Sequence, residues 1–141
     1  MSKSGRIGTN AENHYLVEYV RRVWPKADRS PKKGSNDYGD YSNVGVFLVE
    51  AKKRAKLTGE FVGWVNTALD KTRAAAERYL REGCGYPSPS KRDIRETAEE
   101  LFPWVIFMSG NKHNQPDIDL CVMPASLARD ALNALVDLVD P

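Results

Sequence analysis

Apolar residues recur at helical spacing in four stretches of the chain. These stretches cover residues 10–24, 59–82 and 91–102 and the segment that follows Pro124. Their ends carry the expected signals, because Asn10 and Ser90 are suited to capping a helix and Pro25 ends the first one. The pattern therefore predicts four helices, of which the second is the longest.

Short apolar runs rich in β-branched and aromatic residues lie between these helices. We expect strands at Val44–Ala51, 104–110 and 118–123, with a shorter one around 28–30. The first of these runs is almost wholly apolar, which is typical of a central strand covered on both faces. The order of elements predicts an α/β fold, a mixed central sheet flanked by helices. Residues 9–141 are expected to form this single domain, with residues 1–8 as a mobile N-terminal arm.

The composition excludes several classes of protein. The chain has 141 residues, of which 41% are hydrophobic and 28% charged, as in an ordinary globular domain. No apolar run is long enough to span a membrane, and the first residues have no apolar core of a secretory signal. Cys84 and Cys121 are isolated in the sequence, which favours a reducing, cytoplasmic location.

Charge is distributed unevenly along the chain. Residues 1–56 contain 12 basic and 6 acidic side chains, whereas residues 57–141 contain 9 and 13. A basic half on a small domain indicates a polyanionic partner. We expect Lys32, Lys33, Lys53, Arg54 and Lys56 to contact DNA phosphates. Lys71, in the middle of the long helix, is expected to be an ordinary surface lysine.

Two charged residues end the first apolar strand. Glu50 and Lys52 share one face because side chains alternate along a strand, and Asp40 precedes the turn that leads into it. A hairpin would bring the Asp40 carboxylate beside Glu50, where the two repel unless a divalent cation lies between them. Mg²⁺ binds carboxylates and substrate phosphates together, and a lysine on the same face can hold the attacking water. The spacing therefore suits phosphodiester hydrolysis.

The first 56 residues carry a wider pattern. Its members are Gly8-Thr9-Asn10-Ala11-Glu12, Arg29, Gly34-Ser35, Gly39-Asp40 and Val49-Glu50-Ala51-Lys52. Over residues 5–56 this pattern resembles the PD-(D/E)XK nuclease superfamily, in its archaeal-type Holliday junction resolvase branch. The resemblance implies a restriction-endonuclease-like fold, with Glu12, Asp40, Glu50 and Lys52 as catalytic residues. It also implies that Arg29 and Ser35 touch the DNA backbone.

The resemblance leads to a mechanistic expectation. Asp40, Glu50 and the Ala51 carbonyl would hold Mg²⁺, for which Mn²⁺ would substitute, and Glu12 would complete the site directly or through water. The expected substrate is a four-way DNA junction in a prokaryotic or phage-infected cell. Because a junction needs two symmetric cuts, the enzyme is expected to be a homodimer with no membrane partner.

Two departures from the pattern leave alternatives open. Gly39 stands where a proline usually precedes the aspartate, and Asp37 lies close enough to replace or assist Asp40. Residues 83–102 form an insertion beyond the minimal resolvase pattern. The alternatives are a nuclease of the same superfamily acting on flaps, ends or duplex DNA, and a non-catalytic DNA-binding module of the same fold.

Overall fold

The computed structural model describes residues 3–31, 38–54, 60–110 and 118–139. Its helices are α1 (Lys3–Tyr15), α2 (Arg21–Val23), α3 (Glu60–Arg78), α4 (Lys91–Leu101) and α5 (Ala125–Val139). Its strands are β1 (Asp28–Arg29), β2 (Tyr41–Ser42), β3 (Leu48–Arg54), β4 (Trp104–Gly110) and β5 (Ile118–Val122). Single π-helical turns, Leu16–Val20 and Tyr79–Gly83, extend α1 and α3.

The central sheet has the strand order β3-β4-β5. Strand β4 is parallel to β3, with Glu50 opposite Ile106, and antiparallel to β5, with Ile106 opposite Val122. The described residues thus form a mixed sheet flanked by helices, as the order of apolar segments predicts. Strands β1 and β2 form a separate antiparallel pair, and a backbone hydrogen bond from Asp40 N to Val49 O ties their end to β3.

Alternate residues of β3 enter two separate hydrophobic clusters. Val49 packs with residues of α1, among them Ala11 and Tyr15, in the cluster that we call the α1-side core. Leu48 packs with Trp64 and other residues of α3 in the α3-side core. Strand β3 is therefore covered by a helix on each face, so a charged side chain on it becomes buried unless it lies near an end of the strand.

The first helix begins earlier than its sequence signal indicates. Residues 3–8, predicted to be a mobile arm, are the first turns of α1, and Asn10 lies inside the helix instead of capping it. The sequence places Ile7, Ala11 and Tyr15 at intervals of four, which continues the helical repeat toward the N terminus. A potential capping residue does not begin a helix when the hydrogen-bonded turns continue through it.

The first long strand begins later than predicted. Val44 lies in a turn, where Asn43 and Gly45 have φ angles of 61° and 65°, and β3 starts only at Leu48. These left-handed conformations reverse the chain, so Val44 and Phe47 pack on the α1-side core from a turn, whereas Val46 is exposed. The strand then runs to Arg54 and includes the basic residues that follow Glu50. The sequence pattern also misses β2, which has only two residues.

Helix α5 differs from the other long helices because none of its residues is buried. Leu127 in its first turn packs against the α1-side core, but Leu132, Leu135 and Leu138 are 60%, 56% and 79% exposed. The helix therefore presents an unpartnered apolar face. None of the described helices combines the length and the hydropathy that a transmembrane span requires.

Candidate functional site

The backbone at Asp40 lies directly against β3. Gly39 has a φ angle of +83°, and a Cβ atom added to it would come within 2.9 Å of Val49 O. The left-handed conformation and the close approach both require glycine, and a proline cannot adopt this φ angle. The departure from the superfamily pattern at this position thus has a local structural reason.

The Asp40 carboxylate is held toward the middle of β3. The amide of Ala51 donates a hydrogen bond of 2.8 Å to Asp40 Oδ2, and Ser30 N donates one of 2.9 Å to the Asp40 backbone carbonyl. Asp40 is only 8% exposed. Its position is therefore determined by backbone groups of two neighbouring segments, which leaves the carboxylate little freedom to turn away.

Glu50 lies beside Asp40, but not through the expected hairpin, because among the described residues β2 pairs with β1 and β3 pairs with β4. It is 5% exposed, and it directly follows Val49, whose carbonyl accepts the Asp40 N–H. Burial and the Asp40 charge raise the pKa of Glu50 above its ordinary value, and Lys71 opposes this shift. Two adjacent buried carboxylates are unfavourable on their own, which is the electrostatic condition that a bound cation relieves.

Lys71 reaches this pair from α3. Its Nζ atom is 2.7 Å from Glu50 Oε1, and the two side chains are 33% and 6% exposed. The expectation of an ordinary surface lysine is therefore wrong. One signal was present in the sequence, since Lys71 lies three residues after Ala68 and next to Thr72, both on the buried face of the helix. A long lysine stem can follow such a face and place its charge at the edge.

Glu12 has a different basic partner. The Nε and Nη2 atoms of Arg29 both lie 2.8 Å from Glu12 Oε2, with the side chains 33% and 9% exposed. Helix α1 and strand β1 are thus joined by an ion pair that neutralises both charges. The structure brings Glu12 and Arg29 together, but it does not join Glu12 to Asp40 and Glu50 in one carboxylate cluster.

Tyr41 lies between these two acidic positions. Its hydroxyl donates a 2.7 Å hydrogen bond to the backbone carbonyl of Glu12, and its ring is 1% exposed. Burial, followed by the charges of Asp40 and Glu12, raises the pKa of Tyr41 far above its ordinary value, so the hydroxyl stays protonated. The tyrosine therefore ties α1 to β2.

Lys52 follows Glu50 on the same face of β3. Its side chain is partly exposed and has no hydrogen bond or ion pair with any residue that the structure describes. An ammonium group in this position can hold a water molecule or a phosphate oxygen. Ala51 is also partly exposed and contributes its amide to Asp40.

The donor set fits a cation that keeps most of its water. No group of three or more His, Cys, Asp or Glu side chains converges as a metal site among the described residues. Mg²⁺ commonly takes only one or two carboxylates and completes its shell with water and substrate phosphate. Asp40 and Glu50 provide such a pair, whereas a metal that needs three or four protein ligands is not matched by them.

The remaining predicted DNA contacts are not described. Lys32, Lys33, Ser35 and Lys56 lie outside the described residues, as does Asp37, the alternative to Asp40. Only the strand backbone is described for Lys53 and Arg54. Their predicted roles remain predictions.

Comparison with known proteins adds no relative to this picture. No family model matches the chain, and no curated protein or solved structure matches it.

Proposed function

We propose that the protein is a Mg²⁺-dependent endonuclease that cleaves branched DNA, as a Holliday junction resolvase does. The observation that carries this proposal is the buried Asp40–Glu50 pair, with the partly exposed Lys52 two residues further along β3. A non-catalytic DNA-binding module has no use for two carboxylates beside the phosphate that it binds, because they repel it. The restriction-endonuclease-like fold is part of the proposal, supported by the mixed sheet with helices on both faces.

The residues have separate roles in this mechanism. When bound, Mg²⁺ supplies an activated water and neutralises charge on the phosphoryl oxygens. Asp40 and Glu50 would hold the cation, with the Ala51 carbonyl as a further ligand. Lys52 would orient the attacking water by donating a hydrogen bond to it, or would take its proton when the lysine itself is the neutral amine. Because these groups are already positioned to stabilise the charge that develops during hydrolysis, they need little rearrangement.

Arg29 and Glu12 act one step further from the reacting atoms. The Nη1 group of Arg29 has no hydrogen bond to a described residue, while Nε and Nη2 are bound to Glu12. The ion pair directs the remaining edge of the guanidinium, which can contact a DNA phosphate. In this proposal Glu12 completes the site by positioning Arg29, and Ser35, Lys32 and Lys33 add backbone contacts.

A labelled four-way junction and a linear duplex of the same sequence test the proposal. We expect paired symmetric nicks in the junction with Mg²⁺ or Mn²⁺, none with EDTA, and none with Asp40→Asn. Asp70→Asn, which changes an exposed carboxylate on α3, is the matched control and should cleave normally. Equal cleavage of the duplex would retain the nuclease and discard the junction specificity. Tight junction binding without cleavage in any metal would favour the non-catalytic module.

The homodimer that two symmetric cuts require has a suitable surface on α5. A two-fold interface brings the same patch of both copies together, and an apolar face complements itself. We therefore assign the exposed face of Leu132, Leu135 and Leu138 to a second copy of the chain. Light scattering after size exclusion should give twice the chain mass for the wild type and the single mass for Leu132→Asp/Leu135→Asp. Val62→Asp, an exposed apolar position on α3, should stay dimeric.

A cytoplasmic location in a prokaryotic or phage-infected cell belongs to the same proposal. Cys84 and Cys121 are both free thiols, as expected in a reducing compartment.

A wild-type chain that remained a monomer at micromolar concentration would remove the homodimer from the proposal and leave the cleavage chemistry untouched.

A further inference from the structure

Lys71 occupies the side of Glu50 that faces α3. The 2.7 Å contact joins its Nζ to Oε1, and Glu50 itself is buried. Lys71 follows Asp70 and precedes the buried Thr72, so the helix that covers the α3-side core also carries the cation. The ammonium is therefore held by the packing of α3 and does not depend on a flexible loop for its position.

Lys71 offsets part of the negative charge of the Asp40–Glu50 pair. Asp40 and Glu50 contribute two negative charges when ionised, and Lys71 contributes one positive charge. Glu12 and Arg29 neutralise each other and offer no charge to the pair. One bound divalent cation would change the summed charge of Asp40, Glu50 and Lys71 from −1 to +1, and that of the two carboxylates alone from −2 to zero. The lysine and a divalent metal are therefore electrostatic competitors for the same carboxylates.

We propose that Lys71 is a tethered counter-cation that stabilises the Asp40–Glu50 pair in the metal-free protein and lowers the affinity of the site for divalent metal. This inference rests on the proposed function, because it concerns the same metal site. Lys71 is a positioning residue in this scheme: it directs Glu50 through Oε1 and leaves Oε2 for the metal.

The consequence is that the site binds metal weakly by itself and more tightly once the DNA substrate is bound. Scissile phosphate brings its own negative charge, which offsets the positive charge of Lys71 and metal combined. A site of this kind fills with metal more readily when DNA is present than when it is absent. Catalysis is then coupled to substrate binding through charge alone.

Mn²⁺ binding to the full chain without DNA tests the inference. Electron paramagnetic resonance of free Mn²⁺ measures Kd for the wild type, Lys71→Met, Glu50→Gln and Lys91→Met. We expect Lys71→Met to tighten Mn²⁺ binding by on the order of tenfold, since a positive charge close to the divalent cation is removed. Lys91→Met removes an exposed lysine on α4 and should leave Kd unchanged, and Glu50→Gln should abolish binding.

Two further variants of Lys71 distinguish the loss of its charge from a general loss of the fold. Lys71→Gln is neutral but can still donate a hydrogen bond to Glu50, so it should fold and also tighten Mn²⁺ binding. Lys71→Arg keeps the charge and should resemble the wild type. Circular dichroism confirms that each variant is folded before titration.

The outcomes separate the two proposals. Mn²⁺ binding to the wild type that is equal or weaker in both neutral variants would overturn the role of Lys71 and leave the metal site in place. Absence of Mn²⁺ binding in the wild type and in both neutral variants would overturn the metal site and this inference with it. Tighter binding in both neutral variants, but not in Lys71→Arg, would support both.

Discussion

Two buried glutamates in this protein have one basic partner each, yet they are in different electrostatic situations. Glu12 is paired with Arg29 through two guanidinium nitrogens. Glu50 is in contact with Lys71 and lies beside Asp40. The first arrangement pairs one acid with one base, whereas the second places two neighbouring carboxylates beside one lysine. The comparison shows that burial and a salt bridge do not by themselves identify a reactive site.

The geometry of the two partners strengthens the contrast. Arginine offers a rigid fork and stays charged, so it suits a permanent link between α1 and β1. Lysine is a compact point charge on a flexible stem, and a cation can displace it with a small movement. We therefore expect the Glu12–Arg29 ion pair to be permanent, and Lys71 to be displaced from Glu50 when a metal cation binds.

The largest expected difference between the two sites is in cleavage. Asp40→Asn should reduce junction cleavage by about a thousandfold, because it removes a ligand that holds the metal beside the scissile phosphate. Glu12→Gln should reduce it by only about tenfold, since it loosens Arg29 and leaves the metal ligands in place. Single-turnover cleavage at saturating Mg²⁺ measures both. Equal losses would mean that Glu12 is a metal ligand after all.

A backbone change at Gly39 should disturb the Asp40–Glu50 site and leave the Glu12–Arg29 pair intact. Gly39→Ala forces a side chain into a left-handed conformation and against the Val49 carbonyl, at a cost of about 2 kcal/mol in the free energy of unfolding. It should displace Asp40 from Ala51 N and weaken Mn²⁺ binding. Urea unfolding and Mn²⁺ titration measure the two effects. Gly63→Ala, at a helical glycine with open space around it, is the control: it should raise the free energy of unfolding by up to about 1 kcal/mol and leave Mn²⁺ binding unchanged.

The Glu12 pair should matter more for stability than for metal binding. Glu12→Ala leaves the Arg29 guanidinium without its partner and is expected to lower the free energy of unfolding by about 2 kcal/mol. This is less than for a fully buried pair, because Arg29 is one third exposed and can turn toward water. Urea unfolding gives the change, and Mn²⁺ affinity should stay within twofold. A large loss of Mn²⁺ affinity would contradict the separation of the two sites.

The smallest expected effect is a difference in pH dependence. Glu50 has a pKa above its ordinary value of 4.5 in the folded protein, so its contribution to stability is present below that value and is lost as the pH rises through the raised pKa. Glu50→Gln cannot ionise. The stability of this variant relative to the wild type should therefore increase from pH 4.5 toward neutrality. Thermal unfolding between pH 4 and 8 without metal measures it, and a parallel course for both proteins would contradict the raised pKa.

Much of the fold could be read from the sequence because its signals are local. Apolar periodicity identifies α3, α4 and α5 and strands β4 and β5, and Ser90 accepts the capping hydrogen bond from Asp93 N at the predicted start of α4. The predicted start of a helix differs from the observed one where a capping signal competes with a longer helical repeat. Asn10 is a capping residue in sequence and an interior helical residue in the structure.

The candidate site divides in the same way. The sequence by itself determined that Glu50 and Lys52 share a face of β3, because successive side chains of a strand point to opposite faces. It also determined that Asp40 precedes the turn that leads into this strand. Only the tertiary structure decided which cation meets which acid. The Arg29–Glu12 and Lys71–Glu50 contacts join residues 17 and 21 positions apart. Such contacts depend on how α1 and α3 pack on the sheet, and no local periodicity encodes the distance between two charged atoms on separate elements.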